Sequence, residues 1–275
     1  MKDILLKLER DASRDGVRDY AVSVAEMFGA HLTGAAFAQA AIPTYMLTDV
    51  PSDVLAKAFA ENEAAARAAI ARFEQAVKPA GLPFESRFFA EGEIGPPEAF
   101  SMMARRFDLT VVMQSDRHRH AYNDLMIEAA LFNSGRPTII VPYIQKQGVN
   151  LGRVLCCWDG SRTAARAISD SLPLLRKAKI VELFIVANDK TKWERELRGA
   201  DIARHLARHD VNVEVEVVPA ADIDVASVIL SHVADCSADM IVMGGYGHSR
   251  LREFMLGGVT RAVLETMTIP VFMSH

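Results

Sequence analysis

The stretch GRVLCCWDGSRTAARAISDSLPLLRKAKIVELFIV, Gly152–Val186, joins two apolar runs through a polar turn and a segment whose apolar residues recur at helical spacing. This pattern predicts a strand, a turn, an amphipathic helix and a second strand. The stretch KDILLKLERDASRDGVRDYAVSVAEMFGAHLTGAAF, Lys2–Phe37, has the same order. Strands that alternate with helices in this way indicate a parallel sheet.

Later parts of the chain repeat in the same order. The run FDLTVVMQSD at Phe107–Asp116 is echoed by ADMIVMGGYG at Ala238–Gly247, and RPTIIVP is echoed by IPVFMSH. The polar segment YIQKQGVN between the two halves has the composition of a linker. The repeat therefore predicts two domains, residues 1–147 and residues 149–275.

The predicted fold class is α/β, with two tandem doubly wound domains. Each would have a mostly parallel five-stranded sheet with helices on both faces. In the second half the predicted strands are Val154–Trp158, Val181–Val186, Val211–Val217, Met240–Met243 and Pro270–Met273. The predicted helices are Thr163–Arg176, Glu194–Arg208, Val225–Ala234 and Gly258–Met267. An insertion in the first half, residues 44–77, has Ala, Leu and Phe at helical spacing and predicts one long amphipathic helix.

Composition narrows the function classes. The net charge of the 275 residues is −4 with no basic run, which argues against binding to nucleic acid. No apolar run approaches the roughly 18 residues of a membrane span, and the N-terminus becomes charged too early for a secretory signal, so we expect a cytoplasmic protein.

Of the three cysteines, Cys156, Cys157 and Cys236, none lies in a CxxC pair, and the first two are predicted to pack in a buried strand.

The segment MGGYGHSRLREFMLGGVTRAVL, Met243–Leu264, lies between a predicted strand and the last predicted helix. Glycines let a ligand approach the backbone, and the free N–H groups of a helix N-terminus favour an anion. Since no lysine follows Lys192, a P-loop is excluded, and Arg250 replaces the third glycine of a dinucleotide fingerprint. The alternative is that these glycines only form a tight turn and a close helix contact. Besides backbone N–H groups, phosphates could contact Thr260, His248, Arg250 or Arg252.

The spacing of Gly244, Gly247 and Gly257 resembles the adenine-nucleotide loop of the universal stress protein family. LCCWDGS and ELFIVA are similar to the family's first two strands. The resemblance implies a nucleotide-binding α-hydrolase-like fold, a role in stress response or signalling, and binding of ATP or a related adenine nucleotide, with Mg²⁺ on the phosphates. It further implies contacts from Asp159 to the adenine, from Val186 to the nucleotide, and from Met243, Gly244, Gly247, His248, Gly257, Gly258, Val259 and Thr260 around the loop.

One position departs from the family pattern. Members that bind nucleotide usually have Ser or Thr directly after the third glycine, whereas this chain has Gly258. A lost neutral hydrogen bond removes about 0.5–1.5 kcal/mol, which is roughly tenfold in affinity at most. We therefore expect weakened binding, with Thr260 as a substitute donor in the first turn of the last helix.

The first half is expected to lack this site. Its corresponding segment has no glycine before Gly135, and Asp116 and Asp124 bring negative charge to where phosphate would lie. Glu9 stands near the position that corresponds to Asp159. We predict a degenerate domain that serves packing or interaction, and at most one nucleotide per chain.

Assembly and two competing functions stay open at this stage. Strands at residues 139–141 and 271–273 are expected to pair, so that the halves mimic a dimer, and the sequence also allows a homodimer. One competing function is a scaffold that binds a protein partner and no nucleotide. The other is nucleotidyl transfer, although no catalytic lysine is present near the loop. No enzyme chemistry beyond slow ATP hydrolysis is predicted.

His205 and His209 could share a metal ion, although a solvated helix face explains them as well.

Overall fold

The structure is a computed structural model. It describes residues 1–38, 52–90, 94–115, 121–187, 195–219, 224–245 and 258–275. The chain divides into two compact units. The first comprises Met1–Arg136 and Tyr143–Val149, and the second comprises Pro137–Pro142 and Asn150–His275.

The described part of the first unit contains a parallel sheet and four α-helices. Its strands are β1 (Asp3–Lys7), β2 (His31–Phe37), β3 (Phe84–Phe89) and β4 (Leu109–Met113), in the order β3-β2-β1-β4. Its helices are α1 (Gly16–Phe28), α2 (Ser52–Val77), α3 (Pro96–Ala104) and α4 (Ala121–Glu128), the last continued by a π-helical turn at Ala129–Asn133.

The long helix α2 confirms the predicted helical insertion from Ser52 onward, while residues 44–51 lie outside the described residues. Its buried face consists of Ala66, Ala69, Phe73 and Val77. A Cβ atom on Gly34 of β2 would lie 2.9 Å from the Phe73 ring, so the glycine lets this ring lie directly on the strand. The apolar spacing that predicts the helix is therefore the face that packs on the sheet.

Within its described residues, the second unit contains six strands and four helices. Its strands are β5 (Thr138–Val141), β6 (Arg153–Cys157), β7 (Ile180–Ala187), β8 (Val213–Pro219), β9 (Met240–Gly244) and β10 (Val271–Ser274), in the order β5-β10-β9-β6-β7-β8. Its helices are α5 (Arg162–Leu175), α6 (Arg195–Arg208), α7 (Val225–Cys236) and α8 (Gly258–Thr266).

The strands β6, β9 and β10 are buried on both faces. Successive residues of a strand point to opposite faces, yet Val154, Leu155 and Cys156 of β6 are all inaccessible to solvent. A parallel sheet is buried in this way when helices cover both sides. Cys156 and Cys157 are free thiols in this strand. Cys156 is buried, as predicted, whereas Cys157 is half-buried, and desolvation raises its pKa to about 12.

The predicted fold class is confirmed as α/β with a mostly parallel sheet. Every predicted strand and helix of the second half occurs, with ends shifted by about two residues at most. One detail differs from the prediction of five strands in each sheet, because β5 joins the sheet of the second unit. It runs antiparallel to β10, with Ile140 opposite Val271 and Thr138 opposite Met273. The expected pairing of residues 139–141 with 271–273 is thereby confirmed.

Among the described residues, no helix is both long and apolar enough to cross a membrane.

Candidate functional site

The candidate site of the second unit lies where the strand order reverses. β6 pairs in parallel with β7 on one side and with β9 on the other. The chain runs outward from β6 through β7 to β8, and then returns to the far side of β6 as β9. Open α/β sheets bind ligands beyond the carboxyl ends of the strands at such a reversal. The turn after β6 and the end of β9 at Gly244 and Gly245 therefore meet at a suitable edge.

Asp159 lies in the turn that follows β6. It is exposed, and its Oδ1 accepts a hydrogen bond of 2.8 Å from the backbone N–H of Ser161. Gly160 between them has a φ of 78°, which a residue with a side chain adopts with strain. Ser161 then caps α5, since its Oγ accepts from the N–H of Ala164 at 3.1 Å. The turn thus holds an exposed carboxylate at the carboxyl end of the central strand.

Gly244 ends β9 and faces the first turn of α5. A Cβ atom on this glycine would lie 2.5 Å from the N atom of Ala164 and 2.7 Å from Oγ1 of Thr163. Because these distances leave no room for a side chain, the close approach of strand and helix accounts for glycine at this position. Oγ1 of Thr163 also lies 3.1 Å from Oγ of Ser161, so hydroxyl groups link Gly244 to the Asp159 turn.

The predicted hydrophobic contacts lie on the neighbouring strands. The backbone N–H of Trp158 donates to the carbonyl of Phe184 at 2.9 Å, which extends the pairing of β6 with β7 up to the Asp159 turn. Val186 follows two residues later on β7 and is half-buried. Met243 precedes Gly244 in β9 and is buried. Val186 therefore lies near the turn with part of its surface accessible.

The helix α8 begins at Gly258. This residue is exposed, and no atom of the described residues lies within 4 Å of the position that a Cβ would take. Val259 is half-buried, whereas Thr260 is only 5% exposed. The open backbone at Gly258 suits an anion, but burial leaves the Thr260 side chain little access to a ligand that enters from solvent. The other predicted loop residues, Gly247, His248, Gly257, Arg250 and Arg252, lie outside the described residues.

His275 belongs to this edge of the sheet, although the sequence reasoning did not select it. Its Nδ1 lies 3.1 Å from the carbonyl oxygen of Gly245, and the N–H of Gly245 donates to the carbonyl of Ser274 at 2.8 Å. Burial lowers the pKa of His275 below its ordinary value, and the nearby cations of Arg166 and Arg162 lower it further. These arginines bring positive charge close to the beginning of the segment Met243–Leu264. Because β10 pairs in parallel with β9, the residue after β10 lies near the end of β9. A prediction of this pairing from the sequence could therefore have identified His275.

The corresponding edge of the first unit is occupied by its own side chains. Nζ of Lys7 lies 2.6 Å from Oε1 of Glu9 and donates to Oδ1 of Asn123 at 3.0 Å. All three residues are buried, so Glu9 does not present its carboxylate to solvent as Asp159 does. Asp124 is exposed on α4, and Asp116 lies outside the described residues.

The rings of the predicted histidine pair pack against each other at the end of α6, His205 on the helix and His209 directly after it. The ring centroids of His205 and His209 are 4.6 Å apart, and Nδ1 of His209 lies 3.2 Å from Nη2 of Arg176. Within the described ranges, the one group of three potential metal ligands in mutual reach lies elsewhere and does not include this pair. The solvated helix face remains sufficient to explain these two histidines.

Sequence comparison relates the second half of the chain to a known family. Residues 150–275 match the family model of the universal stress protein family. A universal stress protein of Synechocystis sp. is 28% identical over 143 residues, which cover 50% of this chain and 46% of the relative. The chain thus spans about half the length of this curated relative. The family match does not include the first half, whose membership stays a prediction.

Solved structures give the same fold over the whole chain. A universal stress protein from Archaeoglobus fulgidus DSM 4304 has a TM-score of 0.69 at 16% identity, with 99% of this chain and 97% of that chain covered. A functionally unknown protein from Pseudomonas aeruginosa PAO1 has a TM-score of 0.65 at 14% identity, with 100% and 92% covered. At these identities the likeness concerns the fold alone. The chain therefore carries a domain of the universal stress protein family, formed by residues 150–275.

Proposed function

We propose that the second unit binds ATP or a related adenine nucleotide and that the protein acts as a regulator in stress response or signalling. The observation that carries this proposal is the junction at the strand-order reversal. There an exposed Asp159 carboxylate, the end of β9 at Gly244 and the first turn of α5 come together. Such a reversal is the usual ligand position in an open α/β sheet.

Asp159 and Val186 would recognise the base. One oxygen of Asp159 is held by the N–H of Ser161, so the carboxylate is oriented before a ligand arrives. A carboxylate only accepts hydrogen bonds, so it suits the amino group of adenine and would repel the carbonyl oxygen that guanine has at the same ring position. The half-buried Val186 would pack against the adenine ring. The buried Met243 directly precedes Gly244 and would support the beginning of the loop.

The loop backbone would hold the ribose and phosphates. Gly244, Gly247, His248, Gly257, Gly258, Val259 and Thr260 are the residues assigned to this part of the site. The exposed N-terminus of α8 at Gly258 offers free N–H groups and the positive end of a helix dipole to phosphate. Mg²⁺ would bind through the phosphate oxygens, as it commonly does at nucleotide sites. Without a hydroxyl at residue 258, we expect weaker binding than in a site with serine there.

The bound nucleotide would act as a signal. We propose that occupancy of the site alters shape or assembly, including a homodimer or a complex with a protein partner, and that turnover of ATP is at most slow. The proposed location is the cytoplasm, where the free thiols of Cys156, Cys157 and Cys236 would stay reduced. In the first unit the buried Lys7–Glu9 pair supports the expectation that no nucleotide binds there.

The nucleotide content of the protein tests this proposal. Freshly purified protein is denatured, and released small molecules are identified by chromatography and mass spectrometry. We expect an adenine nucleotide in an amount that approaches, but does not exceed, one per chain. Release of a guanine nucleotide instead would contradict the assigned role of Asp159. If no nucleotide is released and added ATP does not raise the melting temperature, the protein is better explained as a scaffold.

A further inference from the structure

A second cluster of reactive side chains lies on β7 and α7 of the second unit. Glu182 on β7 and His232 and Cys236 on α7 each offer one ligand atom, and these three atoms lie within 4.8 Å of one another. Glu182 is the third residue of β7, so the cluster lies toward the amino end of that strand. The candidate nucleotide site lies beyond the carboxyl ends of the strands. The two sites therefore share no residue.

Packing on the strand orients the cluster. His232 and Cys236 are four residues apart on α7, which places them on the same helix face. The His232 ring stacks on the ring of Phe184, with centroids 4.3 Å apart and an interplanar angle of 17°. Phe184 and Glu182 point to the same side of β7, and Nε2 of His232 contacts Oε1 of Glu182. The imidazole is thus fixed with one nitrogen toward the carboxylate.

The surrounding charges favour a divalent cation. Glu182 is only 4% exposed, and its Oε2 binds Nη1 of Arg153 at 2.6 Å. The same Nη1 lies 3.3 Å from Oε2 of Glu214 on β8. Two carboxylates and one guanidinium sum to a charge of about −1, and a metal ion would displace the proton of the Cys236 thiol to gain a thiolate ligand. Arg153 binds Oε2 of Glu182, so Oε1, which contacts Nε2 of His232, is the oxygen that would bind the metal ion.

We propose that Glu182, His232 and Cys236 form a binding site for zinc or a similar soft divalent transition metal. A carboxylate oxygen, an imidazole nitrogen and a thiolate are ligands that zinc accepts in tetrahedral sites, with bonds of about 2.0–2.3 Å. Such bonds place ligand atoms roughly 3.5 Å apart, so His232 Nε2 and Glu182 Oε1, which are in direct contact, would separate, while the more distant ligand atoms would approach by about 1 Å. The fourth position would be filled by water or by Glu214. A thiolate ligand argues against Mg²⁺ and Ca²⁺, which prefer oxygen ligands.

Metal titration of the full chain tests this site. The protein is stripped with a chelator, reduced, and titrated with Zn²⁺ in competition with a chromogenic chelator. A parallel titration with Co²⁺ reports the ligands, because a bound thiolate gives a sulfur-to-cobalt charge-transfer band. We expect one equivalent of metal per chain and the charge-transfer band. No retention of zinc at about micromolar free metal, or a cobalt spectrum without that band, would overturn the proposal.

Matched variants identify the ligands. Cys236→Ser and His232→Gln should each weaken zinc binding at least ~100-fold, since loss of a supporting residue alone commonly costs 10–100-fold. Cys157→Ser and His205→Ala remove a thiol and an imidazole outside the cluster and should leave binding unchanged. Thermal unfolding of each metal-free variant shows whether it is folded. If folded Cys236→Ser binds zinc normally, or if His205→Ala abolishes binding, the assignment is wrong.

Discussion

Gly244 lies so close to Thr163 that a Cβ atom on the glycine would approach Oγ1 of the threonine to 2.7 Å. The same added atom would lie 2.5 Å from the carbonyl carbon of Thr163, which belongs to the backbone and cannot rotate away. This contact joins the end of β9 to the first turn of α5. It thereby brings the Asp159 turn close to the beginning of the segment Met243–Leu264. Gly244 therefore has a structural role in addition to any contact with a ligand.

The substitution Gly244→Ala should destabilise the protein. The new methyl group would force β9 and α5 apart, and overpacking of this kind costs about 1–3 kcal/mol. Chemical denaturation monitored by circular dichroism measures the free energy of unfolding. Gly258→Ala is the matched control, because no described atom lies within 4 Å of its Cβ position and alanine favours a helix. A stability for Gly244→Ala equal to that of the control would contradict the packing described here.

The substitution Gly258→Ser should strengthen ATP binding by roughly tenfold. The Cβ position at residue 258 is open and exposed, so a serine fits without displacing any described atom. Its hydroxyl would supply the hydrogen bond that the site lacks, with a net gain of about 0.5–1.5 kcal/mol. Isothermal titration calorimetry gives the dissociation constants. Gly258→Ala adds a methyl group without a donor, and an equal gain in that variant would show that the hydroxyl does not contact phosphate.

Asp159→Asn should weaken ATP binding tenfold or more. Asparagine can keep its Oδ1 on the N–H of Ser161, but its amide group then meets the amino group of adenine as a second donor. The preference for ATP over GTP should fall at the same time. Asp235→Asn makes the same change at an exposed position on α7 and serves as the control. Unchanged nucleotide preference in Asp159→Asn would remove this residue from base recognition.

His275 should make the protein less stable in mild acid. Its pKa is lowered from 6.5 in the folded chain by burial and by Arg166 and Arg162, so the unfolded chain takes up a proton first as the pH falls. The free energy of unfolding should therefore decrease as the pH drops below about 6.5, whereas above that pH His275 contributes nothing. Denaturation at about pH 7.5 and pH 5.5 compares the wild type with His275→Gln. The variant should lose less stability on acidification, and an equal loss would exclude His275 as the cause.

Local sequence patterns were sufficient to predict most of the second unit. Apolar runs such as Val154–Cys156 and the spacing along α5 reflect contacts that each element makes with its own sheet. The pairing of β5 with β10 was predicted, but its place as a strand of the second unit was not. Its four residues are all buried and show no alternation, and the choice between neighbouring sheets depends on the path of the whole chain.

The candidate site was predictable where residues follow strand ends. Asp159 follows β6 and Gly244 ends β9. Because these two strands pair in the sheet, the proximity of the two residues could be predicted from the sequence. The steric role of Gly244 depends on how closely α5 approaches β9, and no sequence spacing reports that distance. The contact of Lys7 with Asn123 joins residues 116 positions apart, and it likewise becomes visible only in the folded unit.

A calorimetric titration of stripped protein with ATP, with and without Mg²⁺, tests the central claim most directly. The account predicts one binding site per chain in the wild type and tighter binding in Gly258→Ser. It also predicts weakened binding in Asp159→Asn. Two sites per chain would show that the first unit binds nucleotide despite its buried Lys7–Glu9 pair. Absence of binding at millimolar ATP in both the wild type and Gly258→Ser would contradict the proposed nucleotide site.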